Sequence, residues 1–229
     1  MGAAIGDVLG LAAGVAVSPL PIVAMILVLA TPQGRANGSL FGLGWLAGLS
    51  ILGAVVLLLA GSAGASDEGE PAAWTGWLKL LLGVLALLLA ARQWRARPAP
   101  GAAPEMPKWM AGLDKLKPGG ALGLGALLSG VNPKNAALTI AAAATIAGAG
   151  LPGGEQAVTL AVFVVIGSIG VLAPLIVYLV GGEHAARTLD TWKTWAADHN
   201  AAVMAVLFVV FGFKLVGDGI AVLFWREIP

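Results

Sequence analysis

The chain contains no cysteine, a single Tyr, two His and only 11% charged residues among its 229 positions, where soluble domains carry about a quarter charged residues. Without thiols there are no disulfides, no thiolate metal sites and no thiol redox chemistry. A formal net charge of +1 gives no basic field to steer a phosphate backbone, which excludes a nucleic-acid binder. Also missing are a Gly-rich loop closed by Lys-Ser/Thr, a His-Glu metalloprotease motif, Cys/His metal spacings and a Gly-x-Ser-x-Gly elbow. The segments between apolar runs are too short for a catalytic domain. The expectation is no enzyme, no cofactor and no metal, with any driving energy taken from a gradient, the membrane potential or another protein.

What is present is apolar. Hydrophobic residues make up 59% of the chain and Gly contributes 33 positions; mean hydropathy is +0.90. A soluble globule of this size cannot hide so much apolar surface in one core, so the chain is read as an all-α membrane protein. A span needs roughly 20 apolar residues, and six such runs occur, near 4–30, 39–61, 73–91, 119–148, 156–180 and 201–225. The first has no Lys or Arg before it and is too long for a cleaved signal peptide. Unbroken runs also exclude the alternating pattern of a transmembrane β-barrel.

Basic residues set the orientation. Arg92, Arg95, Arg97, Lys108, Lys115 and Lys117 fall between the third and fourth spans, Arg35 follows the first, and Arg187 and Lys193 follow the fifth. The alternate connections carry Asp67, Glu68, Glu70 and Glu155. Both termini are therefore expected outside and the central linker inside, in the cytoplasmic (inner) membrane. The linker, 98–118, is rich in Pro and Ala. Within it Met106, Trp109, Met110 and Leu113 have helical spacing against Lys108, Lys115 and Lys117, which suits a short interfacial helix. Residues 189–196, with Trp192 and Trp195, have the same character. Aromatic-belt residues at the interface are the ordinary reading of both segments, a lipid or partner site the alternative. His184 and His199 are read as inner-loop polar residues.

Three spans on each side of the linker divide the chain into a first half (1–97), the linker (98–118) and a second half (119–229). An odd number of spans per half forces opposite orientations, the arithmetic of an inverted repeat. The first span of each half is interrupted, at Val17-Ser18-Pro19-Leu20-Pro21 and at Ser129-Gly130-Val131-Asn132-Pro133-Lys134-Asn135. Proline removes a backbone donor and clashes with the preceding turn. Ser18-Pro19 and Asn132-Pro133 also read as a capping residue followed by Pro at the first helical position. Simple kinks are the bland alternative, and Pro174 is assigned to it. The expectation is broken first and fourth spans whose second half-helices start at mid-membrane and offer N–H groups to an anion.

Charges within the spans are few: Lys79, Lys134 and Lys214 against Asp7 and Asp218. A lysine at that depth costs about 3 kcal/mol on insertion scales. Asp7 is placed to pair with Lys79, and Lys214 with Asp218 four residues on, which leaves Lys134 for an anionic substrate. Pairing of Lys134 with Asp218 is the alternative, as a tether or proton relay. Stripes of small residues (Gly6, Gly10, Gly14, Ser18; Gly44, Gly48; Gly119, Gly123) allow close helix packing, either internally or in a homodimer.

On the Ser18-Pro19-Leu20-Pro21-Ile22 motif and on Ser129 to Ala136, with Asn-Pro-Lys-Asn its most specific part, the chain resembles the GAP family. These are the glycopeptidolipid- and sulfolipid-addressing proteins within the lysine-exporter superfamily. The resemblance implies a cytoplasmic-membrane protein that assists export of cell-envelope glycolipids. The expected substrate is thus an anionic membrane lipid or its precursor, and the expected partner an envelope-lipid export machinery. Ser18, Pro19, Pro21, Asn132, Pro133, Lys134 and Asn135 form the expected site. Lys214, Asp218, Asp7 and Lys79 serve charge pairing or proton coupling. An exporter of amino acids or small ions and a non-transporting scaffold are the rivals.

Overall fold

The computed structural model describes residues 1–62, 66–67, 70–71, 73–96, 112–113 and 116–224. Arg97, Met106, Lys108, Trp109, Met110 and Lys115 of the linker, with Glu68, lie outside the described residues, as does most of the expected interfacial helix at 106–117. Among the described residues eight α-helices form the body: α1 (Gly2–Ala16), α2 (Pro19–Leu29), α3 (Gly34–Ser62), α4 (Ala73–Arg95), α5 (Pro118–Gly130), α6 (Pro133–Ala147), α7 (Gly153–Val180) and α8 (Gly182–Phe224). A two-residue antiparallel strand pair, β1 (Ser66–Asp67) with β2 (Glu70–Pro71), joins α3 to α4.

Four helices are long and apolar enough to cross a membrane, Gly34–Gly61, Ala73–Arg95, Gly153–Val180 and His184–Phe224. The pair α1 and α2, bent by 51° at its break, makes a fifth when taken as one span. α5 and α6, of 13 and 15 residues, are each too short to cross alone. The surface is apolar in the way lipid requires: Leu58, Leu81, Leu88, Val165, Val180 and Phe213 are all exposed, far more than water tolerates in contiguous patches. Trp77 and Trp94, exposed at opposite ends of α4, stand about 25 Å apart along the helix, close to the apolar thickness of a bilayer. This is a multi-pass membrane protein.

Glycine sets the helix contacts. α3 lies along α5 and α4 along α8, the two most extensive pairings. α1 packs on α7 and α6, α2 on α8 and α7, and α6 on α3 and α4. A Cβ at Gly44 would meet the carbonyl of Leu122, one at Gly48 the hydroxyl of Ser129, and one at Gly125 the carbonyl of Phe41. The stripe on α1 is used toward its inner end, where Gly14 faces Phe211 and Leu138 and Gly10 touches Phe211 more loosely. Gly6, Gly119 and Gly123 meet nothing within 4 Å. The small-residue pattern is therefore only partly a packing code.

One expectation fails outright. Residues 182–224 form a single helix of 43 residues, about 65 Å long, so His184, His199 and residues 189–196 are helical rather than loop or separate interfacial helix. The reason is local: from Glu183 to Phe211 there is no Gly or Pro to stop the helix. The reversal from α7 happens at Gly181–Gly182, where Gly182 takes φ +52°, a conformation cheap only for glycine. Buried hydroxyls inside the helices satisfy themselves on the preceding turn, Thr139 on the Asn135 carbonyl and Ser168 on the Val164 carbonyl.

Candidate functional site

The two interruptions lie side by side. α1 ends at Ala16 and α2 restarts at Pro19; α5 ends at Gly130 and α6 restarts at Pro133. Asn132 caps α6, its side-chain oxygen accepting from the Lys134 amide at 3.1 Å. Ser18 occupies the N-cap of α2 but makes no side-chain cap bond, because its hydroxyl is used across the interface.

That use builds a buried chain of hydrogen bonds between the halves. The Lys134 ammonium donates to Ser18 Oγ at 2.6 Å and to the Val17 carbonyl at 3.4 Å. Ser18 Oγ donates in turn to Asn135 Oδ1 at 2.9 Å, and Asn135 Nδ2 donates to the Leu128 carbonyl at 2.9 Å. Ser18, Lys134 and Asn135 are all buried. The chain also mends the broken helices. Val17 and Leu128 carry C-terminal carbonyls that have lost their helical partners, and Lys134 puts a positive charge at the negative end of α1. Asn135→Ala is expected to strand the Leu128 carbonyl and the Ser18 hydroxyl in a dry setting. Each stranded group costs about 1–3 kcal/mol, which a thermal melt of the purified variant should register as a lower midpoint.

The helix N-termini are poorer anion donors than the sequence suggests. In α2, Pro19 and Pro21 remove two amides and the Ile22 amide returns to the Ser18 carbonyl; Leu20 alone remains. In α6, Pro133 has no amide, Lys134 gives its own to the Asn132 side chain, and Ala136 bonds the Asn132 carbonyl. Asn135 alone remains there. An anion at this place must rely on side chains.

Those side chains line a cleft of about 310 Å³, within the size range of small-ligand sites. Ser18, Pro19, Pro21, Asn132, Pro133, Lys134 and Asn135 all border it. So do Arg92 and Gln93 from the end of α4 and Asn200 from α8, none of which was a candidate from sequence. Leu89, Met204 and Phe208 complete an apolar wall. Arg92 was legible only as a topology signal, since nothing local links the end of α4 to the breaks.

The remaining charges sit elsewhere. Lys214 and Asp218 pair on α8 at 2.7 Å. Asp7 and Lys79 do not meet: Asp7 is exposed on α1, while Lys79 is buried on α4, which packs on α8 rather than on α1. Among the described residues no carboxylate lies within ion-pair distance of Lys134, so it is not tied to Asp218. Nor do these residues contain a cluster of His, Asp or Glu able to hold a metal ion.

Fold and cleft together define a polytopic helical membrane protein with an amphiphilic pocket at the meeting of two interrupted helices. The chain belongs to the family of Sap, the sulfolipid-1-addressing protein, whose family model matches residues 8–221 and so takes in both breaks and every cleft residue. No curated protein and no solved structure matches it.

Proposed function

We propose that the protein is a six-span transporter, built from two inverted three-span halves, that moves an anionic envelope glycolipid or its precursor outward across the cytoplasmic membrane without enzymatic chemistry. The observation that carries this reading is the pairing of unneutralised cations with an apolar wall in one cleft. Lys134 is held only by neutral acceptors, with no carboxylate among the described residues in reach, and an ammonium has three donors of which two are used. Arg92 adds a second cation. A sulfate or phosphate headgroup suits these two, and an acyl chain suits Leu89, Met204 and Phe208. The family's name, sulfolipid-addressing, points to a sulfated lipid in this role. Membership of the wider lysine-exporter superfamily, and work alongside an envelope-lipid export machinery, belong to the same proposal.

The inverted repeat is supported by which helices touch. Exchanging α1 with α5, α2 with α6, α3 with α7 and α4 with α8 turns the α1–α7 contact into α5–α3, α2–α8 into α6–α4, and α3–α6 into α7–α2, and all of these occur. α4 and α8 meet each other antiparallel, Gly76 against Gly219 and Gly83 against Gly212, and the exchange maps one of these contacts on the other. A parallel repeat has no reason to make equivalent helices antiparallel. The distribution of basic residues favours the linker and the Arg92 end of the cleft inside, and both termini outside.

Reconstitution of the purified protein in liposomes tests the reading. It should speed leaflet transfer of a labelled sulfated glycolipid and leave its unsulfated parent at the protein-free rate. Arg92→Gln, at the exposed mouth, should reduce transfer by up to about tenfold. Equal rates for the two lipids would remove the anion site. No transfer of either would favour the scaffold, and transfer of a small amino acid instead would favour the solute exporter.

A further inference from the structure

We propose that Asp218 is a shared counter-ion that passes between Lys214 and Lys79, and that this exchange sets two positions of the seam between α4 and α8. The proposal rests on the transporter reading and supplies the element that would switch it.

The seam is a contact between glycines. Gly76 lies against Gly219, and Gly83 against Gly212 and Val216, so the backbones approach closely, with Val222 and Leu223 set over Gly76 and Leu87 over Gly212. Lys79 sits between these contact points, only 7% exposed. Burying an ammonium at that depth is expensive without a counter-charge, yet among the described residues no carboxylate lies within ion-pair distance of it. The charges that act on it are Asp218 and Lys214 from α8 and Asp7 from α1, and Asp7 is exposed. Asp218 is held at 2.7 Å by Lys214, four residues earlier on its own helix. An acid placed after its lysine is the weaker order for an intrahelical pair, and both partners are about one-third exposed, at 31% and 32%. Two ammoniums thus compete for one carboxylate across this close seam. In the present arrangement Lys214 holds it and Lys79 goes without; the alternative reverses the two.

α4 and α8 are the equivalent helices of the two halves, so any rocking of one half on the other changes the offset along this seam. Each pairing then favours one offset, as a two-state element requires.

The absence of native cysteine makes the test clean. Asn200→Cys, in the cleft wall, is labelled with a water-soluble maleimide in protein held in lipid nanodiscs. Lys79→Met leaves Asp218 only Lys214 and should label at least as fast as the parent. Lys214→Met leaves Asp218 only Lys79 and should slow labelling about fivefold or more. In a density map of that variant, Asp218 should lie within about 4 Å of Lys79. Should Lys214→Met fold poorly, Lys214→Gln carries the same expectation with a polar side chain. Labelling rates that are alike in the Lys79 and Lys214 variants, or that shift in the same direction, would overturn the exchange. Asp218→Asn separates the two proposals: it should still bind sulfated lipid, because the cleft does not include Asp218, and it should erase the labelling contrast between the Lys79 and Lys214 variants. A parent protein that binds no sulfated lipid would instead sink the functional reading and leave the labelling contrast to stand or fall alone.

Discussion

Lys134→Met should abolish selective transfer of the sulfated lipid while leaving a folded, monodisperse protein. The ammonium is buried, and its acceptors, Ser18 Oγ and the Val17 carbonyl, are both neutral. Removing it therefore strands no buried opposite charge; it frees the Val17 carbonyl, at about 1–3 kcal/mol, and relieves the insertion cost of about 3 kcal/mol that a lysine pays at this depth. Methionine keeps most of the volume. Ser18 still donates to Asn135, so the link between the two breaks survives. The ligand, in contrast, loses its charge-assisted donor. Hydrogen bonds to charged groups are worth about 1.5–3 kcal/mol, on the order of 10–100-fold in affinity. Direct binding of the sulfated lipid to the detergent-solubilised variant measures this, with a thermal melt as control. Wild-type affinity in the variant would mean that Lys134 serves only to clamp the two interruptions together.

Gly48→Ala is expected to force α3 and α5 apart and to lower stability. The new Cβ would collide with Ser129 Oγ and with the Ala126 carbonyl. Backbone on α5 cannot rotate away as a long side chain can, so the helices must separate. Overpacking of this kind costs about 1–3 kcal/mol, and separation here also disturbs Gly44 and Gly125 on the same interface. The matched control is Gly123→Ala on α5, where nothing lies within 4 Å. There the substitution should be neutral or stabilising by about 0.5–1 kcal/mol, because alanine loses less backbone entropy in a helix. Melting midpoints of the two variants should move in opposite directions or differ widely. Equal midpoints would show that the α3–α5 contact is looser than described.

Local chemistry was legible from sequence where the determinant lay within a few residues. Pro19 and Pro133 end one helix and begin another, Asn132 caps α6, and Lys214 meets Asp218 one turn away. Each depends on neighbours in the chain. The errors came from two sources. Capping logic places Ser18 correctly at the N-cap of α2 but also implies a side-chain cap bond, whereas the hydroxyl bonds a partner more than a hundred positions away, Asn135 at 2.9 Å. Prolines were counted as break signals without subtracting the amides they remove, so the anion-binding power of α2 and α6 was overstated. The cleft residues Arg92, Gln93 and Asn200 carry no local mark. They reach the breaks because α4 packs on α8 and both lie beside the interrupted helices, which is tertiary information. The 43-residue α8 was divided because polar residues after the fifth span read as a loop; with no Gly or Pro among them, the helix simply continues.

A density map of the protein in nanodiscs containing the sulfated glycolipid bears most directly on whether the interrupted helices cradle an anionic headgroup. Sulfate oxygens should appear within hydrogen-bonding distance of Lys134 Nζ and the Arg92 guanidinium, with the first methylenes of the tail along Leu89, Met204 and Phe208. A map with lipid only on the outer faces of the helices, and Lys134 still bound to Ser18 and Val17 alone at saturating lipid, would contradict it.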